Sequence, residues 1–146
     1  MTRLPRRSFL LLSGAALLGA AAPLAFAQTS TPTRNRALFQ VTDNDPARWS
    51  MILNNMQNLR DGVGGEPVEI ELVAYGPGIN MLKADSSVKQ RIAEALKAGV
   101  TVNACQNTMT NAKLVPADML PNISYVPAGV VEVMRKQQQG WAYIRS

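Results

Sequence analysis

Residues 68–105 read VEIELVAYGPGINMLKADSSVKQRIAEALKAGVTVNAC, and this stretch decides the fold. Its first part, residues 68–75, is rich in apolar and β-branched side chains, which predicts a strand that the Gly-Pro-Gly of residues 76–78 ends in a sharp turn. Apolar residues then recur at helical spacing as far as Gly99, which stands where a helix adopts a left-handed C-cap. Residues 100–104 return to a strand pattern. This succession predicts two parallel strands joined by a helix.

The chain before this stretch predicts one more strand and one more helix. Residues 37–42 (ALFQVT) have the strand pattern, and Asp45 before Pro46 has the residue types of an N-cap and a first helical position. The next helix has one apolar face, formed by Trp49, Ile52, Leu53, Met56 and Leu59.

The chain after this stretch continues the alternation. A short helix is predicted at residues 108–114, a strand at 124–126, a helix at 130–140 and a last strand at 141–144. Strands that alternate with helices indicate an α/β fold. We expect a mostly parallel five-stranded sheet, built as a single domain over residues 36–146.

The N-terminal segment, residues 1–27, has the organisation of an export signal. Arginines precede an apolar run at residues 9–22, and Ala-Phe-Ala at residues 25–27 is a small-x-small cleavage site. Arg-Arg-Ser-Phe-Leu at residues 6–10 matches the twin-arginine pattern. We therefore expect cleavage after Ala27 and a periplasmic protein without a membrane segment; an ordinary secretory signal and an uncleaved anchor are the alternatives. The polar residues 28–35 predict a short disordered lead-in.

Composition excludes several classes of chemistry. The chain has fifteen Lys and Arg against ten Asp and Glu, but three of the arginines lie in the export signal, which holds no acid, so the rest carries a net charge of +2. This charge is too small to predict a nucleic-acid-binding face. The chain has no histidine, which excludes histidine-based triads and histidine-ligated zinc. Its single cysteine, Cys105, cannot form an internal disulfide.

The carboxyl ends of the predicted strands meet at one edge of the sheet, where open α/β sheets bind ligands. Cys105 ends the third strand and precedes a predicted helix, whose N-terminal N–H groups would stabilise a thiolate. Cys105 is therefore the candidate catalytic residue. The candidate ligand pocket consists of polar and glycine residues from the same strand-end loops: Asn44, Tyr75, Gly76, Gly78, Asn80, Gln106, Asn107 and Thr108.

Other interpretations of these residues stay open. A lone cysteine is often a buried side chain that packs as a small hydrophobe. Asp43 and Asp45 could hold a metal, although Asp45 before a proline is more simply a helix cap. Methionines could join Cys105 in a soft copper site, although their spacing fits core packing better. We expect no metal and no cofactor, and we expect Arg135 and Lys136 only to complement a helix dipole. The methionines in question are Met81, Met109, Met119 and Met134.

Three segments carry a resemblance to a known family: VAYGPGINML at residues 73–82, NACQNTM at 103–109 and DMLPNISYVPAGVVEVMRKQQQGWAYIR at 118–145. They are similar to the DsrE/DsrF-like proteins, and in particular to the small, often exported branch of that superfamily. The resemblance implies a three-layer α/β/α fold that commonly assembles as a trimer or hexamer. Sulfur-relay members accept sulfur as a persulfide on a cysteine at the end of the corresponding strand, which implies the same role for Cys105.

The resulting hypothesis is a periplasmic sulfur carrier that holds a persulfide on Cys105 and exchanges sulfur with a donor and an acceptor protein. Such a carrier transfers sulfur without having to turn over as an enzyme. The alternative is a non-catalytic periplasmic oligomer of the same fold that binds a small ligand or a partner, with Cys105 merely lining the pocket. A purely structural oligomer subunit explains the strand-end loops least well. We expect a homo-oligomer, either a trimer or a hexamer.

Overall fold

A computed structural model describes residues 35–145 of the chain. The predicted export signal and residues 28–34 of the predicted lead-in lie outside the described residues. The last residue of that lead-in, Asn35, already belongs to the first strand. Within residues 35–145, no helix is both long enough and apolar enough to cross a bilayer.

Five parallel strands form the sheet. They are β1 (Asn35–Val41), β2 (Val68–Ala74), β3 (Thr101–Cys105), β4 (Ser124–Val126) and β5 (Ala142–Arg145). Their spatial order is β4-β3-β2-β1-β5. The prediction of a largely parallel five-stranded α/β sheet is therefore confirmed, and every pairing in it is parallel.

Within residues 35–145, four α-helices connect the strands: α1 (Pro46–Gly62), α2 (Lys89–Lys97), α3 (Gln106–Asn111) and α4 (Gly129–Gln138). Two short 3-10 helices, Gly76–Leu82 and Pro116–Asp118, lie in the connections. The α1 helix begins as predicted, because the Asp45 side chain accepts a hydrogen bond from the Ala47 N–H at 2.9 Å. Gly99 adopts a φ of +84°, as expected for a left-handed residue after a helix.

The direction of each crossover explains which face of the sheet each helix covers. From β1 through β4 the chain moves steadily toward one edge, whereas the β4-to-β5 connection returns across the sheet to the far side of β1. Because parallel crossovers are right-handed, the returning helix α4 must lie on the face opposite to the other crossovers. The result is a three-layer α/β/α arrangement, as predicted.

The two faces of the sheet bury very different amounts of apolar surface. The main core includes Ile92 and other side chains of α1 and α2, together with alternate apolar residues of β1 to β3 such as Phe39 and Leu72. On the α4 face, the buried apolar side chains among the described residues are only Leu38, Val73 and Val133. Polar side chains occupy much of the remaining α4 face.

Two local predictions were wrong. The Gly-Pro-Gly of residues 76–78 is not a simple turn, because it begins the 3-10 helix that continues to Leu82. The helix predicted at residues 108–114 begins at Gln106, directly after the last residue of β3. The earlier start of α3 places the N–H groups of Asn107 and Thr108 near Cys105, and the 3-10 helix lets the Gly76 N–H reach Thr108.

Candidate functional site

Cys105 is the last residue of β3, and its side chain lies on the α4 face of the sheet. Alternate residues of a strand share a face, so Asn103 and Cys105 lie on the same side of β3. Only 4% of Cys105 is exposed to solvent. The thiol is therefore both buried and located at the carboxyl edge, where the sequence placed it.

Hydrogen-bond donors surround the Cys105 sulfur. The Gly129 N–H, at the start of α4, donates to Sγ at 3.2 Å. The Thr108 hydroxyl and the backbone N–H groups of Thr108 and Asn107 also act on the thiol, and each of them lowers its pKa. Burial alone would raise the pKa of the Cys105 thiol, but these donors outweigh it and lower the pKa below its ordinary value. Such an environment favours a thiolate, the nucleophilic form of cysteine.

Thr108 joins the sulfur to the glycine turn that follows β2. Its Oγ1 accepts a hydrogen bond from the Gly76 N–H at 3.0 Å, which leaves the hydroxyl proton for Cys105. Gly76 has a φ of +53°, a left-handed conformation that side chains rarely adopt, and this conformation suits a glycine. The strand-end loops after β2 and β3 thus act on the same sulfur atom.

Tyr75 forms the wall of the site beside Gly129. A Cβ atom built on Gly129 would lie 2.7 Å from Cδ1 of the Tyr75 ring and 3.0 Å from its Cβ and Cγ. Only a glycine therefore lets the first turn of α4 approach β2 closely enough for its N–H to reach Sγ. Gly129 is not among the pocket residues predicted from the sequence, although it closely follows the strand predicted at residues 124–126.

A chain of polar side chains extends from Tyr75 toward the other edge of the sheet. The Gln40 side chain donates to the Tyr75 hydroxyl and accepts from the Tyr143 hydroxyl. Burial raises the pKa of Tyr75, and the charges of Tyr143 and Cys105 raise it further, whereas Arg145 lowers it. The ring beside the thiol is therefore a neutral hydrogen-bonding group near neutral pH.

The remaining predicted pocket residues are more scattered. Asn44 is exposed in the loop after β1, and Gln106 is exposed at the start of α3. The Asn80 side chain donates to the Pro77 carbonyl at 3.2 Å, a contact within its own 3-10 helix. The Asn107 N–H also donates to the Pro127 carbonyl at 3.2 Å, which ties α3 to the loop before α4.

Gly78 is buried against the end of β1 rather than lining the sulfur. A Cβ atom built there would lie 2.3 Å from the Val41 carbonyl oxygen. Its role in the site is therefore to let the 3-10 helix pack closely on the sheet. Of the predicted set, Tyr75, Gly76, Asn107 and Thr108 are the residues gathered around Cys105.

The described residues do not gather metal ligands. Between residues 35 and 145, no group of three or more Cys, Asp and Glu side chains is placed to hold an ion. Asp45 caps α1, and Arg48 lies within 4 Å of both Asp43 and Asp45, at 3.6 and 3.8 Å. Met81, Met109 and Met119 are buried in the main core. Met134 is exposed on α4, so the four thioethers do not converge on the thiol.

A second polar cluster lies beneath α4 on the same face as Cys105. Glu71 of β2 is only 1% exposed, and its Oε2 lies 2.6 Å from Nζ of Lys136 in α4. Its Oε1 accepts a hydrogen bond from the Asn103 side chain at 2.8 Å. Lys136 therefore does more than complement the helix dipole, contrary to the expectation from sequence. An acid within a strand whose neighbours are apolar was the pattern that could have indicated this cluster.

Comparisons with known proteins agree on one family and one fold. The model of the DsrE/DsrF-like family matches residues 35–145. The solved structure of MTH1491, a protein of unknown function from Methanobacterium thermoautotrophicum, is similar at a TM-score of 0.73 and 34% identity, over 77% of this chain and 99% of that chain. A search of curated proteins found no match.

Two more distant solved structures share the fold. BT1422, a conserved protein of unknown function from Bacteroides thetaiotaomicron, has a TM-score of 0.63 and 16% identity, over 77% of this chain and 95% of that chain. The ychN protein from E. coli has a TM-score of 0.61 and 9% identity, over 77% and 99% of the two chains. At these identities the likeness concerns the fold alone.

Proposed function

Because this chain belongs to the DsrE/DsrF-like family, we propose that it carries sulfur, and that Cys105 holds the sulfur as a persulfide. The family suggests a role of the sulfur-relay type. Cys105 is the residue to which that role carries over, since it is the only thiol of the chain and ends a strand at the carboxyl edge of the sheet. The observation that carries the proposal is the set of donors on its sulfur.

Loading transfers one sulfur atom from a donor persulfide. The Cys105 thiolate attacks the terminal sulfur of the donor, a bond forms between Sγ and that sulfur, and the sulfur–sulfur bond of the donor breaks. The electron pair leaves with the donor thiolate, so the step needs no external oxidant or reductant. In unloading, an acceptor thiolate attacks the same terminal sulfur, and Cys105 leaves as the thiolate.

The surroundings of Cys105 suit both steps. The thiol must be a nucleophile during loading and a leaving group during unloading, and a lowered pKa favours each role. The Gly129 N–H at 3.2 Å and the Thr108 hydroxyl stabilise the negative charge that Sγ carries before loading and after unloading. None of these contacts requires an imidazole, which agrees with a chain that has no histidine.

The test is to offer the folded protein a small persulfide donor and to measure its mass. We expect the wild-type protein to gain the mass of one sulfur atom, to lose it to an added thiol, and to react with iodoacetamide at neutral pH. Cys105→Ser should do none of these. A wild-type protein that resists alkylation and takes up no sulfur would falsify the proposal.

The second candidate function is non-covalent binding of a small ligand or partner at the same edge. The 4% exposure of Cys105 favours this candidate, because a thiol that is nearly enclosed can serve as a wall of a pocket. In that case Cys105→Ser would keep the fold and any ligand affinity, and the wild-type protein would not accept sulfur. The sulfur-uptake experiment therefore separates the two functions.

We extend the proposal to the compartment and the assembly. The Arg6-Arg7 pair and the apolar run behind it support export to the periplasm, and conversion of both arginines to lysine should retain the precursor in the cytoplasm. Exposed apolar side chains at Val130, Met134 and Tyr143, all on α4 or β5, support a homo-oligomer that covers this face. Light scattering on the purified protein gives the number of subunits.

A further inference from the structure

The Glu71 carboxylate joins the two elements that meet at the Cys105 sulfur. One of its oxygens accepts from Asn103 of β3 at 2.8 Å, and the other lies 2.6 Å from Nζ of Lys136 in α4. The β3 strand carries the thiol, and α4 carries the Gly129 N–H that donates to it. Glu71 itself lies on β2, which is next to β3 in the sheet and beneath α4.

The spacing of residues along β3 and α4 explains how the contacts of Glu71 can affect the contact between Gly129 and Cys105. Asn103 lies two residues before Cys105 on the same face of β3. Lys136 and Gly129 lie seven residues apart in α4, about two helical turns, so they lie on the same side of the helix. A contact that holds Lys136 against the sheet therefore fixes the height and rotation at which Gly129 meets the sulfur.

Few other contacts of α4 could fix that geometry. Its buried residues are Gly129 and Val133, whereas α1 buries Trp49, Ile52 and two further large side chains against the main core. Apolar contacts are non-directional and tolerate small displacements of a helix, whereas a charge-assisted hydrogen bond of 2.6 Å tolerates little. The polar link therefore constrains the position of α4 more tightly than its apolar contacts do.

The nearby charges and rings hold Lys136 in place. Glu132, one turn earlier in α4, lies 3.7 Å from Nζ of Lys136, and the Lys136 ammonium lies 4.4 Å from the centroid of the Trp141 ring. The guanidinium carbon of Arg36 lies 5.8 Å from the centroid of the same ring. Lys136 therefore reaches Glu71 from a fixed direction.

We propose that Glu71 and Lys136 are positioning residues for Cys105, and that their buried ion pair holds the Gly129 N–H at bonding distance from the sulfur. The inference rests on the proposed reactivity of Cys105. Neither residue touches the sulfur, and neither takes part in the transfer. A buried ion pair contributes little net stability compared with apolar residues of similar volume, so its retention beneath α4 fits a role in geometry.

The central test is the double variant Glu71→Gln/Lys136→Met, which removes one negative and one positive charge and so leaves the net charge unchanged. We expect the pKa of Cys105 to rise by about one unit, because a hydrogen bond to a charged sulfur weakens. At a pH below the wild-type pKa of Cys105, the reaction of the variant with iodoacetamide should be about tenfold slower than that of the wild-type protein. Thiolate absorbance against pH measures the pKa in protein that circular dichroism shows to be folded.

A second readout follows the hydrogen bond itself. In the wild-type protein, the amide resonance of Gly129 should shift as Cys105 titrates, and in the double variant this response should shrink. The matched control is Arg91→Met, since Arg91 ties α2 to α1 on the other face through Ser50 and Asn54, at 3.2 and 2.7 Å. The control should leave both readouts unchanged.

The outcomes separate the two proposals. A folded double variant with an unchanged Cys105 pKa and an unchanged Gly129 response overturns the positioning role but leaves sulfur transfer standing. If the wild-type thiol has an ordinary pKa and takes up no sulfur, the proposed function is overturned, and the positioning role that rests on it falls as well. If the double variant does not fold, Lys136→Gln removes the ion pair and keeps a polar side chain near Glu71, and an unchanged Gly129 response in that folded variant contradicts the inference.

Discussion

The two faces of the sheet differ in the kinds of side chain that they bury. The face covered by α1 and α2 buries a continuous apolar core, with Phe39, Leu72 and Ile92 at most 1% exposed. Among the described residues, the face covered by α4 buries three apolar side chains and also Glu71, Asn103 and Cys105. Since burial of apolar area is the main source of folding free energy, the first face supplies stability.

Because the first face supplies stability, the face covered by α4 can contain buried polar groups. The desolvation of these groups costs free energy, and their hydrogen bonds offset that cost. The Glu71 carboxylate, for example, has partners that also orient it, Asn103 and Lys136. The comparison teaches that stability and reactivity are separable in this fold. The predictions that follow test this separation.

The largest effect is expected from the apolar face. Leu72→Ala removes a fully buried side chain, and we expect the free energy of unfolding to fall by about 2–5 kcal/mol in urea titrations. The pKa of Cys105 in the folded variant should stay the same, because Leu72 faces away from α4. Met51→Ala, at a position 43% exposed on α1, is the control and should change stability by less than about 0.5 kcal/mol. A shifted Cys105 pKa in Leu72→Ala would show that the faces are coupled.

The next largest effect is expected from Gly129→Ala on the α4 face. The added Cβ would meet the Tyr75 ring at 2.7 Å, so α4 or the ring must move and the Gly129 N–H must retreat from Sγ. We expect the Cys105 pKa to rise by about one to two units, and the rate of alkylation at neutral pH to fall accordingly.

Gly62→Ala is the matched control for that variant, because a Cβ on Gly62 meets no atom within 4 Å. It adds the same methyl group to a helix on the apolar face and should leave the Cys105 pKa unchanged. An equal change in both glycine variants would mean that the pKa responds to general loosening and not to the Gly129 contact.

The sequence predicted what depends on neighbours along the chain. The strands, the Asp45 cap, the left-handed Gly99 and the place of Cys105 at a strand end all follow from local patterns, and the structure agrees with them. The family was also confirmed. These features are set by periodicity and backbone preference, which a single sequence displays.

The contacts that define the site depend on the return of the chain across the sheet. Gly129 meets a sulfur 24 residues earlier, and Lys136 meets an acid on a different strand, only because α4 crosses the face opposite to the other helices. No local pattern fixes the register of such a crossover. The predicted pocket residue Asn80 instead donates to a carbonyl within its own 3-10 helix, because that nearby acceptor satisfies its side chain first.

A smaller effect on the thiol is expected from Thr108. Thr108→Val keeps the shape of the side chain but removes the hydroxyl that donates to Cys105, so the thiol pKa should rise by about one unit. Thr108→Ser keeps the hydroxyl and should restore the lower pKa. Thiolate absorbance against pH measures both variants. If serine and valine act alike, the hydroxyl is not the group that lowers the pKa.

The smallest effect is the pH dependence of stability that the thiol confers. The folded-state pKa of Cys105 is lowered, so between that pKa and its ordinary value of 9.0 the unfolded chain binds more protons than the folded one. The free energy of unfolding of the wild-type protein, minus that of Cys105→Ser, should therefore rise with pH across this window, by at most about 1.4 kcal/mol per pH unit. The gain disappears as the pH falls through the folded-state pKa.

Glu71 contributes with the opposite sign, because burial raises its pKa above 4.5, so that its contribution falls as the pH rises from 4.5 to the folded-state pKa. Urea titrations of both proteins from about pH 6 to about pH 9 therefore isolate the thiol, since the Glu71 contribution is common to both and cancels in the difference. A difference that stays flat or falls with pH would mean that the donors around Sγ do not favour the thiolate. The α4 face would then contain buried polar groups that do not activate Cys105 for sulfur transfer.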